Sequence, residues 1–410
     1  MSTQIQADAA ALKAEVRGQL WKDNLRDYGL LGSLLLIVLF FYLITADHAS
    51  VSPVNITNLI MQNSYVVIMA LGMLLIIVGG NIDLSVGSIV GFVGAVGGSL
   101  IVYAKFPYPL VIVICLAVGA LIGAAQGVLV AYAKMPSFIV TLGGMLIFRG
   151  LTGNMLLGQF VGPFPKGFQS IASGFLPDVT DFGSIADSLP EWANIHWVSL
   201  LLGALVALWM FVGGIRRWRR AKLDGMEVEP LALLIGKNLV FAVIIVGIAW
   251  NLALYKGLPI ILVIMGALIA LYQFITTRTV VGRRIYALGG NVLAARLSGV
   301  KTERLIFFTF ANMGLLAGLA GLVVAARLNS ATPSAGSGFE LDVIAACFIG
   351  GTSASGGAGK VMNVVIGALF MGVMNNGMSL VGLGIFWQQV VKGLVLLAAV
   401  FVDVYQKRKG

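Results

Sequence analysis

The chain has 410 residues, 59% of them hydrophobic and 11% charged, with a mean hydropathy of +0.97. That is too apolar for a soluble globule, which would need a charged surface, and it predicts a protein that faces lipid. The net charge of +10 sits in loops between apolar runs. This excludes nucleic acid as its partner and matches the pattern that orients membrane proteins.

The chain opens on a polar segment, 1–27, in which Leu12, Val16 and Leu20 recur at helical spacing. This predicts an amphipathic helix lying along the inner membrane surface. No small-residue cleavage site follows the first apolar run, so no signal peptide is expected. Runs near the length needed to cross a bilayer then fall at 28–46, 61–78, 84–104, 109–133, 138–157, 196–214, 238–255, 258–275, 305–326, 342–353, 361–381 and 386–404. The run at 342–353 is short and the break after 78 can lie inside the membrane. The expected fold is therefore an all-α polytopic membrane protein with about ten to twelve transmembrane helices, some broken or re-entrant. Helices 1–5 would occupy 28–157, helices 6–8 would occupy 196–275 with a basic loop at 215–237, and helices 9–12 would occupy 305–404.

With a cytoplasmic N-terminus and an even number of spans, twenty-one Lys and Arg residues fall inside and only Lys105, Lys166, Lys256 and Arg327 outside. That asymmetry places both termini, including the tail at 405–410, in the cytoplasm. The largest outside loop, 158–195, is acidic, with Asp178, Asp181, Asp187 and Glu191 against Lys166 alone. A solvated loop is its simplest reading.

Two stretches break the apolar pattern within the membrane region. In GGNIDLSVGS, 79–88, the glycine pair permits a sharp break, and Asp83 or Ser85 can cap the helix that follows. In FELDVIAACFIGGTSASGG, 339–357, Asp342 opens an apolar run that a Gly/Ser break closes. The two following spans run in opposite senses, the pattern of inverted repeats meeting at a pathway. Asn81, Asp83, Ser85, Asp342, Asn375 and Asn376 are accordingly the candidates for lining it, although each can also serve only to satisfy backbone or bridge helices. Arg149 and Lys392 lie in or at the edge of spans, where they must face protein, water or headgroups.

The loop TTRTVVGRRIYALGGNVLAARLSGVKTER, 276–304, is more elaborate than a plain connection. Asn291 can cap a helix over Val292 to Ser298, about two turns long, and Gly299 can take the left-handed position that ends it. So short a helix does not stand alone. It predicts a soluble partner on the cytoplasmic side.

Several strings do not carry chemistry. GGAGKV at 356–361 looks like a phosphate loop, but Ala354 stands where its first glycine is needed and Val361 where Ser or Thr should follow. Cys115 and Cys347 lie in apolar segments and read as packing residues, and His48 and His196 have no neighbouring ligands, so no metal is expected. Pairs such as Gly87/Gly91, Gly94/Gly98, Gly119/Gly123 and Gly314/Gly318 predict close helix contacts.

NSYVVIMALGMLLIIVGGNIDLSVGS, PSFIVTLGGMLIFRGL, TTRTVVGRRIYALGGNVLAARLSGV, GFELDVIAACFIGGTSASGG and GVMNNGMSLVGLGIFWQQVVKGLVLLAAVFVDV together resemble the permease subunits of bacterial sugar ABC importers, in the ribose/xylose/galactose group. The extra pair of spans around 196–255 looks more like the xylose and multiple-monosaccharide permeases. The resemblance implies a homodimer in the inner membrane, a cytoplasmic ATPase that binds ATP and Mg, and a periplasmic sugar-binding protein. It implies no cofactor in this chain. It also implies that 276–304 is the loop that docks on the ATPase, with Gly282, Arg284, Gly289, Gly290, Asn291, Ala294, Ala295, Ser298 and Gly299 as the matched positions. Alternatives are an ion-coupled secondary sugar transporter and a branched-chain amino acid ABC permease.

Overall fold

The computed structural model describes residues 29–178, 195–225, 228 and 230–409. The predicted N-terminal amphipathic segment and the acidic residues Asp181, Asp187 and Glu191 lie outside them. The described residues are helical apart from connecting segments and two isolated antiparallel bridges, Val161 with Ala331 and Phe175 with Pro259. The helices are α1 (Gly29–Ile44), α2 (Pro53–Gln62), α3 (Ser64–Val78), α4 (Val86–Val102), α5 (Tyr108–Ala131), α6 (Ser137–Leu156), α7 (Lys166–Ser173), α8 (Trp197–Leu223), α9 (Leu231–Ala253), α10 (Ile260–Arg278), α11 (Val280–Gly290), α12 (Val292–Leu297), α13 (Thr302–Leu328), α14 (Phe339–Ile349), α15 (Val361–Leu380) and α16 (Ile385–Lys409).

Each predicted apolar run is a helix, but fewer of them are full spans than the expected ten to twelve. Among the described residues, seven helices are long and apolar enough to cross a membrane, or eight when α2 and α3, bent by 40° at Asn63, count as one. The physical reason is helix length. α4 is 17 residues long, and α14, at 11 residues, rises only about 16 Å against a hydrocarbon core of about 30 Å.

The core is built around α3, all of whose residues from Ser64 to Val78 are buried. An apolar helix with no polar face is stable only when surrounded, and α13, α14, α15 and α10 surround this one. α13 in turn packs along α5 and α4. A Cβ on Gly119 or Gly314 would strike the backbone of the other helix, so the predicted small-residue pairs of α5 and α13 meet each other. The α8–α9 hairpin is peripheral: its helices pack on one another, and α9 also touches α2. Their outer faces, like those of α5, α6 and α16, expose large apolar side chains, as lipid requires.

Hydrogen bonds gather the loops into two ends. At one, Gly357 N donates to Val78 O (2.9 Å), Tyr286 Oη to Gly359 O (2.7 Å), and Lys134 pairs with Glu303 (2.9 Å). At the other, Val161 exchanges hydrogen bonds with Ala331 and Leu176 N donates to Leu258 O (2.9 Å). The first end holds the loops of the basic excess. Asp178, from the acidic loop, is buried and accepts hydrogen bonds from Trp197 N (3.3 Å) and Val198 N (3.1 Å), which makes it the cap of α8 rather than a solvated charge.

Candidate functional site

The half-helix α14 begins where a connection that descends from the end of α13 meets α4. Gly336 in this connection lies against Gly87, so closely that a Cβ on either would overlap the other strand of backbone. Gly338 caps α14 with φ of 80°, a left-handed conformation that favours glycine. Two carboxylates, Glu340 and Asp342, then fall in the first turn, where the exposed amides of a helix start favour negative charge.

Asp342 is 1% exposed and collects donors from three other helices. Lys392 Nζ of α16 lies 2.9 Å from Oδ1 and 3.0 Å from Oδ2. Tyr65 Oη of α3 donates to Oδ2 at 3.1 Å, and Asn375 Nδ2 of α15 does so at 3.1 Å. A carboxylate in this position is tolerable only when paired and hydrogen-bonded in this way. Tyr65 is held by stacking on Phe339, with ring centroids 3.7 Å apart. Glu340 turns to the other side of α14, towards Arg149 of α6, whose Nη2 is 3.8 Å from Oε1. Its Oε2 is buried without a hydrogen-bond partner and lies where a Gly87 side chain would be. The first turn of α14 is therefore gripped on two sides by carboxylate–cation pairs, one tight and one loose.

Of the residues expected to line a pathway, Asp342 and Asn375 thus meet directly. Asn376 points elsewhere, exchanging amide hydrogen bonds with Asn55 of α2 at 2.8 Å and 3.0 Å. Asp83 and Ser85 form a separate network: Asp83 Oδ1 accepts from Ser85 N (2.8 Å) and Ser85 Oγ (2.6 Å), and Gln126 Nε2 of α5 donates to Ser85 Oγ (3.0 Å). The side chain that orders the start of α4 is therefore Asp83, while Ser85 occupies the cap position. The Asn81 side chain donates to Gly79 O at 3.3 Å. Sequence reasoning did not select Tyr65, Gln126, Glu340 or Asn55. A polar side chain within an apolar run was the available signal for the first two.

At the basic end, the loop 279–301 holds two helices. Thr279 Oγ1 caps α11 through Gly282 N (3.1 Å), and Asn291 Oδ1 caps α12 through Ala294 N (2.9 Å). Gly299 ends α12 at φ of 79°. Both ends of α12 are as expected; α11 is additional. Gly282 and Ala295 are buried, whereas Arg284, Gly290, Asn291, Ala294, Ser298 and Gly299 are exposed. Gly289 sits against Val78 O and Gly357 N, with no room for a Cβ. The 356–361 string is therefore a packing platform for α11, with Gly357 N already bonded to Val78 O. Burial against it raises the pKa of the Tyr286 phenol, which keeps Tyr286 a neutral donor. α12 is held from the other side by Arg296, 3.1 Å from Glu303 Oε1, the same oxygen that Lys134 contacts. α12 leaves three large apolar side chains uncovered, Val292, Leu293 and Leu297.

Residues 55–400 match the family described as branched-chain amino acid transport system / permease component. The chain belongs to this family. It is 41% identical to the xylose transport system permease protein of Escherichia coli K12, over 94% of each chain, and 39% identical to the Haemophilus influenzae protein of that name, over 94% of this chain and 98% of the other. The ribose import permease protein of Escherichia coli K12 is 34% identical over 85% of each chain. No solved structure gives a match. The family and the apolar helices make the chain a multi-pass membrane permease.

Proposed function

We propose that this chain is the membrane subunit of an ATP-driven importer of monosaccharides, with xylose and related pentoses and hexoses as its cargo. The observation that carries the reading is identity of about two-fifths, over nearly the whole length, to xylose permeases. Ribose permeases follow at 34%. The wider family name refers to amino acids, but the curated relatives named above carry sugar names.

In this reading the permease sits in the bacterial inner membrane as a pair of copies, with both termini cytoplasmic. A separate ATPase, which binds ATP and Mg, docks on the α11–α12 end. The rigid seat of α11 on Val78 and Gly357 supports this role, because it would transmit a push on α12 into the core helix α3. A periplasmic sugar-binding protein delivers cargo at the opposite end. Asn81, Asp83, Ser85, Asp342, Asn375 and Asn376 remain the proposed polar elements of the pathway region, with Asp342 and Asn375 at the half-helix.

The test is reconstitution with a sugar-importer ATPase subunit and a periplasmic sugar-binding protein, measuring ATPase stimulation across a panel of pentoses and hexoses. Stimulation and uptake with a monosaccharide, and their loss in Gly290→Pro or Asn291→Lys, are expected. Uptake that persists without ATP and collapses with an uncoupler would overturn the reading in favour of ion coupling. Stimulation by branched-chain amino acids alone would overturn the choice of cargo.

A further inference from the structure

The α8–α9 hairpin ends in a concentration of positive charge on α8 that makes no ion pair with a carboxylate among the described residues. α8 is 27 residues long, and its apolar part, Trp197 to Ile215, spans about 28 Å, close to the thickness of the hydrocarbon core. α8 begins at the end opposite α11–α12, where His196 N donates to Ala253 O (3.2 Å). Its last two turns therefore emerge on the same side as α12, at headgroup depth. These turns carry Arg216, Arg217, Arg219, Arg220 and Lys222, and all five are exposed.

Two other cations at this end are tied to a carboxylate. Arg296 and Lys134 share Glu303. Among the described residues, no carboxylate lies within ion-pair distance of any of the five on α8. The sequence between Arg216 and Lys237 holds six cations against three carboxylates, Asp224, Glu227 and Glu229, so the hairpin tip stays positive even if all three are engaged. Trp218 lies among them, with Lys222 Nζ 5.1 Å from its ring centre. Indole beside cations is the arrangement of a side chain held at the membrane interface. Because the hairpin is peripheral, lipid headgroups can reach it from most directions.

We propose that the basic end of α8 is a binding surface for anionic phospholipid headgroups, and that it anchors the α8–α9 hairpin on the cytoplasmic leaflet. Guanidinium groups bind phosphate in bidentate fashion, and a cluster of four to eight cations just inside a membrane span is the pattern that selects anionic over zwitterionic lipid. The proposal rests on the permease reading only for the side of the membrane.

The full chain, reconstituted in nanodiscs of mixed phosphatidylglycerol and phosphatidylcholine, provides the test, with the lipids retained after detergent extraction counted by mass spectrometry. The expected result is selective retention of phosphatidylglycerol that falls with salt and drops at least about tenfold in R216Q/R217Q/R219Q/R220Q. The lysine counterpart, R216K/R217K/R219K/R220K, should keep most of it. Equal retention of the two lipids by the parent chain would overturn the proposal, as would unchanged selectivity in the glutamine variant. Should that variant fail to fold, the parent chain decides: selectivity that survives molar salt overturns it, and selectivity that salt abolishes supports it. Sugar-stimulated ATPase activity, measured separately, reports on the permease reading and not on lipid choice.

Discussion

Lys392 of α16 places its ammonium 2.9 Å from one oxygen of Asp342 and 3.0 Å from the other, joining the last helix of the chain to the first turn of the half-helix α14. The lysine side chain is 21% exposed and the aspartate side chain 1%, so the carboxylate depends on its partner far more than the ammonium does. Lys392→Met leaves a buried charge held only by Tyr65 and Asn375, and should cost about 3 kcal/mol or more. Asp342→Asn should be milder, because Lys392 can reach polar surroundings. The double variant, Lys392→Met with Asp342→Asn, should melt above the Lys392→Met single. Thermal denaturation in detergent checks the order; additive losses would show that the pair is not coupled.

Gly289 and Gly290 are adjacent and should behave oppositely. A Cβ on Gly289 overlaps Val78 O and crowds Gly357 N, whereas a Cβ on Gly290 meets nothing within 4 Å. Gly289→Ala must displace α11 from the end of α3 and should destabilise by about 1–3 kcal/mol or more. Gly290→Ala should leave the melting temperature nearly unchanged. Limited proteolysis of the 276–304 loop, together with melting, distinguishes the two, and equal behaviour would contradict the seat described for α11.

What was legible in the sequence was mainly local. Apolar runs located the long helices around the core but not α7 or α11, which also bury residues in it, and Asn291 and Gly299 marked the ends of α12, because a cap acts within three or four residues of itself. The number of full spans was less legible. A glycine break in a hydrophobic run reads the same whether the chain leaves the membrane or turns back inside it, as before α4 and α14. The partners of polar residues were least legible. Lys392 and Asp342 are 50 residues apart, and Gly289 and Val78 more than 200; such meetings are set by helix packing, not by spacing. Asn375 and Asn376 make the point closely, since adjacent identical residues of α15 meet different partners, Asp342 and Asn55.

The reciprocal amide pair of Asn55 and Asn376 is a clasp between α2 and α15, two helices otherwise in modest contact. Removing the Asn376 amide leaves Asn55 Oδ1 unpaired in a buried site, although Asn55 Nδ2 keeps its bond to Ser50 O (2.9 Å), so Asn376→Leu should cost about 1–3 kcal/mol. Replacing both, Asn55→Leu with Asn376→Leu, removes the stranded group and should recover part of the loss. Melting curves of the two singles and the double test this. A double variant less stable than the sum of the singles would show that the side chains cannot be accommodated, not that the hydrogen bonds matter.

The exposed side of α12 separates folding from coupling. Leu293 is 67% and Leu297 80% exposed, and neither holds the helix in place, whose attachments include the Asn291 cap, the buried Ala295 and the Arg296–Glu303 contact. Substitution by aspartate at either position should therefore shift the melting temperature little. If the apolar tip of α12 inserts into the ATPase, the same variants should lose most sugar-stimulated ATP hydrolysis and uptake, because a carboxylate buried in that interface would be unpaired. Ala295, on the covered face of α12, supplies the contrast: Ala295→Asp should unseat the helix and lower stability and coupling together. Co-purification of the ATPase with each variant is the direct measurement. Retention of the ATPase and full activity by Leu293→Asp and Leu297→Asp would move the docking site away from α12.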